Sequence, residues 1–239
     1  MILSAHQAGY LPYIGLFNKI MQSDLFILLD NVQYVKKEWH NRNRIREHNK
    51  GWMWLTVPIY RKPGFQKINE VIIDNSRNWQ KRHWKSILTA YQKSPFFELY
   101  EAFFEDVYSK NWEKLIEINE TIIRYIINEL DIQTPIVKGS TLQLEGKKTD
   151  FIIDICKKTN SDTFLSGIGG HQYLDERKVK ESNIMLLYQD FQHPIYSQRF
   201  EPFVPNLSVI DLMFNLGNED SRKQIIRSGR TIPAGVSQT

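Results

Sequence analysis

Residues 25–30 read LFILLD, a run that is apolar at every position before its terminal aspartate. A short strand with apolar side chains on both faces must be covered on both faces, as in a parallel sheet with helices on either side. Residues 2–7, ILSAHQ, predict a neighbouring strand, and residues 13–22 between the two predict an amphipathic helix. The three elements predict a right-handed βαβ unit at the start of an open, mostly parallel α/β sheet.

The rest of the chain alternates in the same way, apart from one long block. Residues 77–130 carry apolar positions three or four apart and predict a helical insertion or cap that walls one side of a cleft. Residues 52–59 and 68–74 predict a pair of strands joined by a Pro-Gly turn. Further strands are predicted at residues 136–138, 162–165 and 184–191. We expect residues 1–239 to form a single domain, with two small domains as the alternative, and a frayed end from residue 231.

Composition and charge limit the class of protein. Hydrophobic residues make up 41% of the chain, which is enough for a substantial core. The single cysteine, Cys156, lies in a predicted helix, and no His or Cys cluster has metal-site spacing, so neither disulfides nor zinc are expected. No run approaches the ~18 apolar residues of a membrane span, and we expect a cytoplasmic protein. The net charge is +4, but residues 36–62 hold eight basic and two acidic side chains, which indicates an anionic partner or a solvated face.

Four polar stretches follow predicted strands, at the edge of an open sheet where ligands bind. They span residues 6–15, 30–46, 166–175 and 192–196. In the first, His6 ends its strand, where a neutral imidazole can exchange a proton near pH 7. Gln7 and Gly9 beside it let a ligand approach, and the following helix offers free N–H groups to an anion. The alternative for His6 is a core histidine satisfied by a backbone carbonyl.

The second stretch contains an alternating row of amides and guanidiniums. On an extended segment Arg42 and Arg44 share one face, while Asn41 and Asn43 share the other. Two guanidinium forks on one face can bind a diphosphate. The alternative is an exposed edge strand whose charges discourage aggregation.

The third stretch begins with SGIGG at residues 166–170, which places three glycines between a strand and a helix. Such a turn can hold a phosphate or carboxylate against main-chain N–H groups, although it is neither a dinucleotide fingerprint nor a Walker loop. His171 and Tyr173 can point into the same space. Because loops after neighbouring parallel strands emerge at one edge, we expect this turn, the His6 turn and the two arginines to meet in one cleft.

Six short motifs occur along the chain in a fixed order. They are HQ.GYLPYIG.F.K, LD.VQY, NRNRI, W.WLTVPI, FLSG.GG..YLD and LS.IDL.FN.G, over residues 3 to about 217. Together they resemble the WbqC-like family of bacterial proteins, which usually has a proline where this chain has Ala8 and a tryptophan near Tyr13. The resemblance implies a role in the biosynthesis of O-antigen, lipopolysaccharide or a related surface glycan.

Pro12 and Gly15 open the first helix, and the next apolar strand ends in Asp30. This order resembles the start of the nucleotidyltransferase and pantothenate-synthetase superfamily, which forms adenylates from ATP. The superfamily carries histidines in an HxGH pattern where this chain has Tyr13-Ile14-Gly15-Leu16. The side chains that would stabilise a transferring phosphoryl group are therefore absent, and the fold analogy holds without the chemistry.

The leading hypothesis is an enzyme that modifies a sugar nucleotide or amino sugar by acyl or aminoacyl transfer, either a transferase or an ATP-dependent ligase. Its substrates would be anionic small molecules, with ATP or a nucleotide sugar as candidates, and other glycan-biosynthesis enzymes are candidate partners. His6 would be the acid or base, and Asp30 its orienting partner or a metal contact. The candidate substrate or phosphate ligands are Gln7, Tyr10, Gln33, Asn41, Arg42, Asn43, Arg44, Ser166, Gly167, Gly170, His171 and Tyr173.

Two other classes of protein stay open. A non-catalytic scaffold of a glycan-assembly complex would expose aromatic residues such as Trp39 and Trp112 in a flat patch. Nucleic-acid binding is suggested by the basic run with interleaved Trp52 and Trp54. The net charge of +4 and the absence of a recognised motif argue against it.

Overall fold

A six-stranded sheet lies at the centre of the computed structural model, which describes residues 1–60 and 62–235. The strands and helices are, in chain order, β1 (Ile2–Gln7), α1 (Ile14–Met21), β2 (Leu25–Leu29), β3 (Arg42–Glu47), β4 (Gly51–Thr56), α2 (Trp79–Tyr91), α3 (Glu98–Ser109), α4 (Leu115–Glu129), β5 (Ile136–Lys138), α5 (Thr149–Lys158), β6 (Thr163–Ser166), α6 (Glu176–Glu181), β7 (Met185–Phe191), α7 (Val209–Arg227) and β8 (Gly229–Pro233). The sheet order is β5-β2-β1-β6-β7-β8, and β8 alone in this sheet of the described residues runs antiparallel to its neighbour. The predicted α/β fold with a mostly parallel sheet is confirmed.

The predicted βαβ unit consists of β1, α1 and β2. The two strands pair in parallel, with His6 opposite Leu28. Phe26 and Leu28 pack with residues of α1 and the helical block on one face of the sheet, whereas Ile27 and Leu29 pack with α5 on the other. Both faces of β2 are buried, which is why its sequence is apolar at every position.

Three helices, α2, α3 and α4, fill the block predicted to be helical at residues 77–130. Trp79, Tyr100 and Phe104 are buried, and Phe104 meets Phe214 of α7 edge to face with ring centroids 5.5 Å apart. The aromatic residues of this block therefore serve core packing. No helix within the described residues is long and apolar enough to cross a membrane.

An antiparallel hairpin, β3–β4, contains most of the strand predicted at residues 52–59, but the partner strand predicted at residues 68–74 does not form, and Ile68–Glu70 is a 3-10 turn. Strands β3 and β4 pair along their whole length, and Gly51 closes the turn with a φ of 81°, a region that favours glycine. The two predicted strands meet only through one bridge, Ile59 to Ile73. The prediction was wrong because the Pro-Gly step was assigned as the hairpin turn, while the true partner of β4 is the polar segment before it.

The C-terminal region contains a broken helix and an edge strand. Helix α7 is interrupted at Gly217 (φ 74°, ψ −177°), where a Cβ atom would lie 2.8 Å from the Phe96 ring. Glycine is needed there for both the backbone conformation and the close approach. Residues 231–233 belong to β8, so the predicted frayed end does not begin at residue 231, and residues 236–239 lie outside the described residues.

A buried carboxylate, Asp211 of α7, joins several parts of the fold. It accepts hydrogen bonds from the Tyr91 hydroxyl (2.9 Å), the Tyr196 hydroxyl (2.8 Å) and the Gln198 amide (2.8 Å). The Tyr91 hydroxyl accepts in turn from the backbone N–H of Arg46 in β3 (2.9 Å). Burial raises the pKa of Asp211, although its three hydrogen-bond donors stabilise the charged carboxylate and lower the pKa in part. The network fastens the hairpin and the segment before α7 to the core.

We expect Asp211→Ala to lower the free energy of unfolding by about 3 kcal/mol, because it leaves the buried hydroxyls of Tyr91 and Tyr196 without this acceptor and removes one of the two acceptors of the Gln198 amide. Urea denaturation followed by circular dichroism measures this. Asp220→Ala is the matched control on the same helix: Asp220 is exposed and its ion pair with Lys223 lies at the surface, so we expect a change below about 0.5 kcal/mol. Equal losses for the two variants would contradict the role given to the network.

Candidate functional site

A cavity of about 360 Å³ lies at the carboxyl end of β1, and we call it the His6 cavity. It is lined by His6, Gln7, Gly9, Pro12, Tyr13, Leu16, Trp39, Asn43, Arg44 and Asn206. Its volume is within the range of ~300–1,000 Å³ that is usual for small-molecule pockets. Among the described residues, no group of three or more His, Cys, Asp or Glu is placed to hold a metal ion.

Backbone hydrogen bonds hold the segments of the cavity together. The N–H of Tyr10 donates to the carbonyl of Trp39 (3.3 Å). The N–H of Val209 donates to the carbonyl of Pro12 (2.8 Å). A Cβ atom on Gly9 would lie 3.1 Å from the same Trp39 oxygen, which is tighter than almost all Cβ contacts. Glycine at this position therefore lets the Trp39 segment pack directly on the turn after β1.

The helical block supports the His6 cavity without lining it. Asn119 of α4 is fully buried, and its Nδ2 donates to the carbonyls of His40 (2.8 Å) and Ala8 (3.4 Å). These two carbonyls belong to the segments that carry Trp39 and His6. The prediction that residues 77–130 wall the cleft at His6 is wrong, because none of them lines this cavity.

His6 is a part-buried, neutral imidazole. Its Nδ1 lies 2.9 Å from the carbonyl oxygen of Gln7, and because a carbonyl only accepts, Nδ1 carries the proton and Nε2 is left with a lone pair. Burial and, to a smaller extent, the nearby charge of Lys19 lower the pKa of His6 to about 3. The side chain therefore presents a hydrogen-bond acceptor at neutral pH.

Arg44 supplies a rigid positive charge to the cavity. Its guanidinium lies 5.1 Å from the centre of the Trp52 ring, 5.5 Å from Trp39 and 6.0 Å from Trp54. Its Nη2 donates to the carbonyl of Asn206 (3.0 Å), and its Nε has no hydrogen-bond partner. No carboxylate of the described residues pairs with it, so the tryptophans orient the charge while an anion can still bind it.

The N-terminus of α1 lies at the same place. Tyr13 is the N-cap residue, no side chain caps the helix, and its first turn contains no acidic residue. The N–H of Leu16 donates to the carbonyl of Tyr13 (3.2 Å), so α1 contributes the positive end of its dipole, which favours an anion beside Tyr13 and Leu16 in the cavity lining. The side-chain amide of Gln7 forms no hydrogen bond with another described residue and is free to bind a ligand.

The structure brings together the first and second polar stretches that the sequence singled out. His6, Gln7, Asn43 and Arg44 line one cavity, and the Nδ2 of Asn43 donates to the carbonyl of Leu11 (2.6 Å), which joins β3 to the turn after β1. Arg42 lies on the same face of β3 as Arg44, as predicted. Arg42 does not line the cavity, however. Its guanidinium lies 4.2 Å from the centre of the Trp54 ring and donates a hydrogen bond to the carbonyl of Lys37.

Several candidate residues have partners within the fold instead. Asp30 accepts from the backbone N–H (2.8 Å) and hydroxyl (2.7 Å) of Ser140, so its carboxylate faces the turn after β5 and not His6. The buried hydroxyl of Tyr10 bonds with His83 and Tyr108, and the Nδ2 of Asn41 donates to the carbonyl of Val57 (2.8 Å). Gln33 is exposed, and its backbone bridges to Lys67 outside the cavity.

The glycine-rich turn does not reach the His6 cavity, which corrects the prediction of a common cleft. Residues 168–172 form a 3-10 turn, and none of Ser166, Gly167, Gly170, His171 and Tyr173 lines the cavity. A Cβ atom on Gly170 would lie 2.1 Å from the Ser166 hydroxyl, so the glycine serves close packing. His171 stacks on Tyr188 with ring centroids 3.4 Å apart and lies 3.3 Å from Glu176.

Asn119 was not among the predicted site residues, and neither were five residues that line the cavity: Pro12, Tyr13, Leu16, Trp39 and Asn206. Asn206 stands in a polar loop with a φ of 59°, and its carbonyl binds Arg44 from more than 160 residues away. Asn119 lies on the buried face of the amphipathic helix α4, at helical spacing from Leu115 and Ile122, and an amide on that apolar face was the signal that could have marked it. The fourth polar stretch, residues 192–196, lies near Arg44. Burial lowers the pKa of His193, and the charge of Arg44 lowers it to a smaller extent.

Comparisons with known proteins agree with the motifs in the sequence. The model of the WbqC-like protein family matches residues 7–223, which include nine of the ten residues that line the cavity. The uncharacterized protein Rv1507c of Mycobacterium tuberculosis is 32% identical over 216 residues, which cover 89% of this chain and 93% of that protein. No solved structure matches the chain.

We expect His6 to be a neutral Nδ1–H tautomer at pH 7 and to stay neutral at pH 5, because burial lowers its pKa to about 3. Nitrogen-15 NMR of the imidazole rings measures both properties, with His6→Gln to assign the signals. An imidazole that gains a proton near pH 6.5, the ordinary pKa of histidine, would contradict the geometry.

A second expectation concerns Lys19 of α1, which is 2% exposed and donates to the carbonyl of Ala5 (3.0 Å). Burial lowers the pKa of Lys19 to about 7 from 10.5, so between these values the unfolded chain binds more protons than the native one. The free energy of unfolding should therefore rise with pH in this window. We expect Lys19→Met to remove this part of the rise in urea titrations at several pH values, whereas Lys157→Met, at an exposed lysine, should leave it unchanged.

Proposed function

The chain belongs to the WbqC-like family, and from this premise we propose that it binds a phosphorylated sugar derivative in the His6 cavity. The candidate ligands are a sugar nucleotide or an amino sugar phosphate. The reaction is the transfer of an acyl or aminoacyl group to the sugar, in the biosynthesis of a surface glycan or a related metabolite.

The observation that carries the proposal is the unpaired charge of Arg44 beside the uncapped N-terminus of α1. At neutral pH Arg44 is the one formally charged side chain among the described residues that line the cavity, because His6 is neutral. No carboxylate of the described residues pairs with its guanidinium. An unpaired guanidinium and the positive end of a helix dipole on one cavity are complementary to a phosphate.

The other walls suit a sugar ring. Trp39 is 46% exposed and Tyr13 is 38% exposed although both line the cavity, so each offers an aromatic surface to a ligand. The Gln7 amide and the Nε2 of His6 can bind hydroxyl or amino groups of the ring. An apolar aromatic wall with a few polar groups is the usual composition of a small-molecule site.

His6 is the candidate general base. A hydroxyl or amino group of the sugar attacks the carbonyl of an activated acyl donor, and the donor's bond to its leaving group breaks as the new bond forms. The attacking group gives its proton to the free lone pair on Nε2 of His6, which can pass it to the leaving group. An anion bound at Arg44 raises the pKa of His6 from its low value in the empty site, because a nearby negative charge favours the imidazolium. Asp30 has no part in this assignment, since its carboxylate is bound to Ser140.

Adenylate formation inside this cavity is not part of the proposal. The positions that hold histidines in the nucleotidyltransferase superfamily are Tyr13 and Leu16 here, and both line the cavity. Neither side chain can stabilise a transferring phosphoryl group. A donor that arrives already activated therefore suits the site better than ATP.

Two observations bear on the scaffold alternative. Trp39 lines a concave cavity, and Trp112 is part-buried with its Nε1 donating to the carbonyl of Val107 (2.8 Å). The flat aromatic patch expected of a scaffold does not form from these two residues. They favour a small-molecule site over a docking face.

We expect Arg44→Ala to weaken the binding of a phosphorylated sugar by roughly 1.5–3 kcal/mol, or about 10- to 150-fold in Kd, with little loss of fold stability. Isothermal titration with a panel of hexose 1-phosphates and nucleotide sugars measures this. Arg42→Ala is the matched control, because Arg42 shares the strand and the face but lies outside the cavity.

In the same panel His6→Ala should slow turnover on the order of a hundredfold while binding is largely kept, as is usual for loss of a general base. If Arg42→Ala weakens binding and Arg44→Ala does not, the anion site is assigned to the wrong arginine. If no phosphorylated sugar binds the wild-type chain, the proposed substrate class is wrong.

A further inference from the structure

A second and larger concavity lies between the β3–β4 hairpin and α2. Its volume is about 770 Å³, and it shares no lining residue with the His6 cavity. Residues 46–48, 50 and 53–56 of the hairpin form one wall, and residues 82, 83, 85, 86, 89 and 90 of α2 form the other. We call it the hairpin groove.

The walls of the hairpin groove carry unpaired positive charge. Lys50, Arg82 and Lys85 line it, and none of them has an ion-pair partner among residues 1–60 and 62–235. Glu47 is the one acidic side chain in the lining, and its carboxylate accepts from the backbone N–H of Lys50 (2.5 Å). Three cations and one carboxylate leave an excess of positive charge in the groove, which is complementary to a ligand with more than one negative group.

Apolar side chains share the lining with the cations. They are Met53, Trp54, Leu55 and Ala90, and the uncharged polar residues of the lining are His48, Thr56, His83, Ser86 and Thr89. A simple polyphosphate would leave this surface uncovered, and a monophosphate would use only part of the charge. A planar or apolar group that carries two or three phosphates matches both features.

We propose that the hairpin groove binds a nucleoside di- or triphosphate, with its phosphates on Lys50, Arg82 and Lys85 and its base on the apolar floor. The three cations come from two different elements, so the ligand bridges the hairpin and α2. A single-stranded nucleic acid would need a longer track of cations and stacked rings, and the whole chain has a net charge of only +4. The groove and the His6 cavity have separate linings, so the inference stands apart from the proposed function.

The test is a titration of the full chain with the fluorescent nucleotide mant-ADP, followed by competition. We expect ADP and ATP to displace the probe and adenosine not to, because the phosphates supply the contacts with the cations. Arg82→Glu and Lys85→Glu should each weaken binding by about tenfold or more, since each replaces a favourable charge contact with repulsion.

Lys81→Glu is the matched control, because Lys81 is exposed on the same helix but does not line the groove. It carries the same change in net charge, and we expect it to alter Kd by no more than about twofold. Arg44→Ala should also leave mant-ADP bound, because Arg44 lines the His6 cavity and not the hairpin groove. This variant therefore distinguishes a failure of the groove proposal from a failure of the proposed function. If the α2 variants fail to fold, by circular dichroism, Lys50→Glu in the hairpin tests the same contact from the other wall.

Three results would overturn the inference. The first is mant-ADP binding that Arg82→Glu, Lys85→Glu and Lys50→Glu leave unchanged, or that Lys81→Glu weakens equally. The second is displacement by tripolyphosphate at the same concentration as by ATP, because the base then contributes nothing. The third is displacement by an oligothymidylate or an acidic peptide at concentrations far below those of ADP, which would assign the groove to a macromolecule.

Discussion

Burial of both faces of the central parallel strands is the constraint on which the other features of this protein depend. Because β2 packs against the helical block on one face and α5 on the other, its side chains cannot carry polar chemistry along its length. Polar groups are therefore concentrated where the strands end. His6 and Gln7 at the end of β1 enter a cavity, while Asp30 after β2 is bound by Ser140 beyond β5.

The β3–β4 hairpin makes the second contribution, because it lines both cavities with different residues. Asn43 and Arg44 face the His6 cavity, whereas Lys50 and Met53 line the hairpin groove. Several buried bonds fix the hairpin, among them the Tyr91 hydroxyl that links the backbone of β3 to Asp211. The helical block thus acts as a support for both cavities, and a rigid support is what a preorganised charge requires.

The candidate site could be predicted in part, and the reason lies in strand geometry. His6 and Gln7 were recognisable because they follow an apolar strand, and Arg44 because an alternating segment places every second side chain on one face. Its neighbour Arg42 satisfies the same pattern, yet it stacks on Trp54 outside the cavity. The glycine-rich turn after β6 was misassigned, because glycines that permit tight packing and glycines that admit a ligand look alike in a sequence.

The sequence by itself determined the βαβ start, the helical block, the parallel sheet and the family, because apolar periodicity and ordered motifs are local properties of the chain. Only the tertiary structure decided that β4 pairs with the polar segment at β3, that Asn206 binds Arg44 and that Asn119 holds the carbonyls of Ala8 and His40. These contacts join residues far apart in the chain. Their partners are chosen by packing of the whole molecule, and no local pattern records that choice.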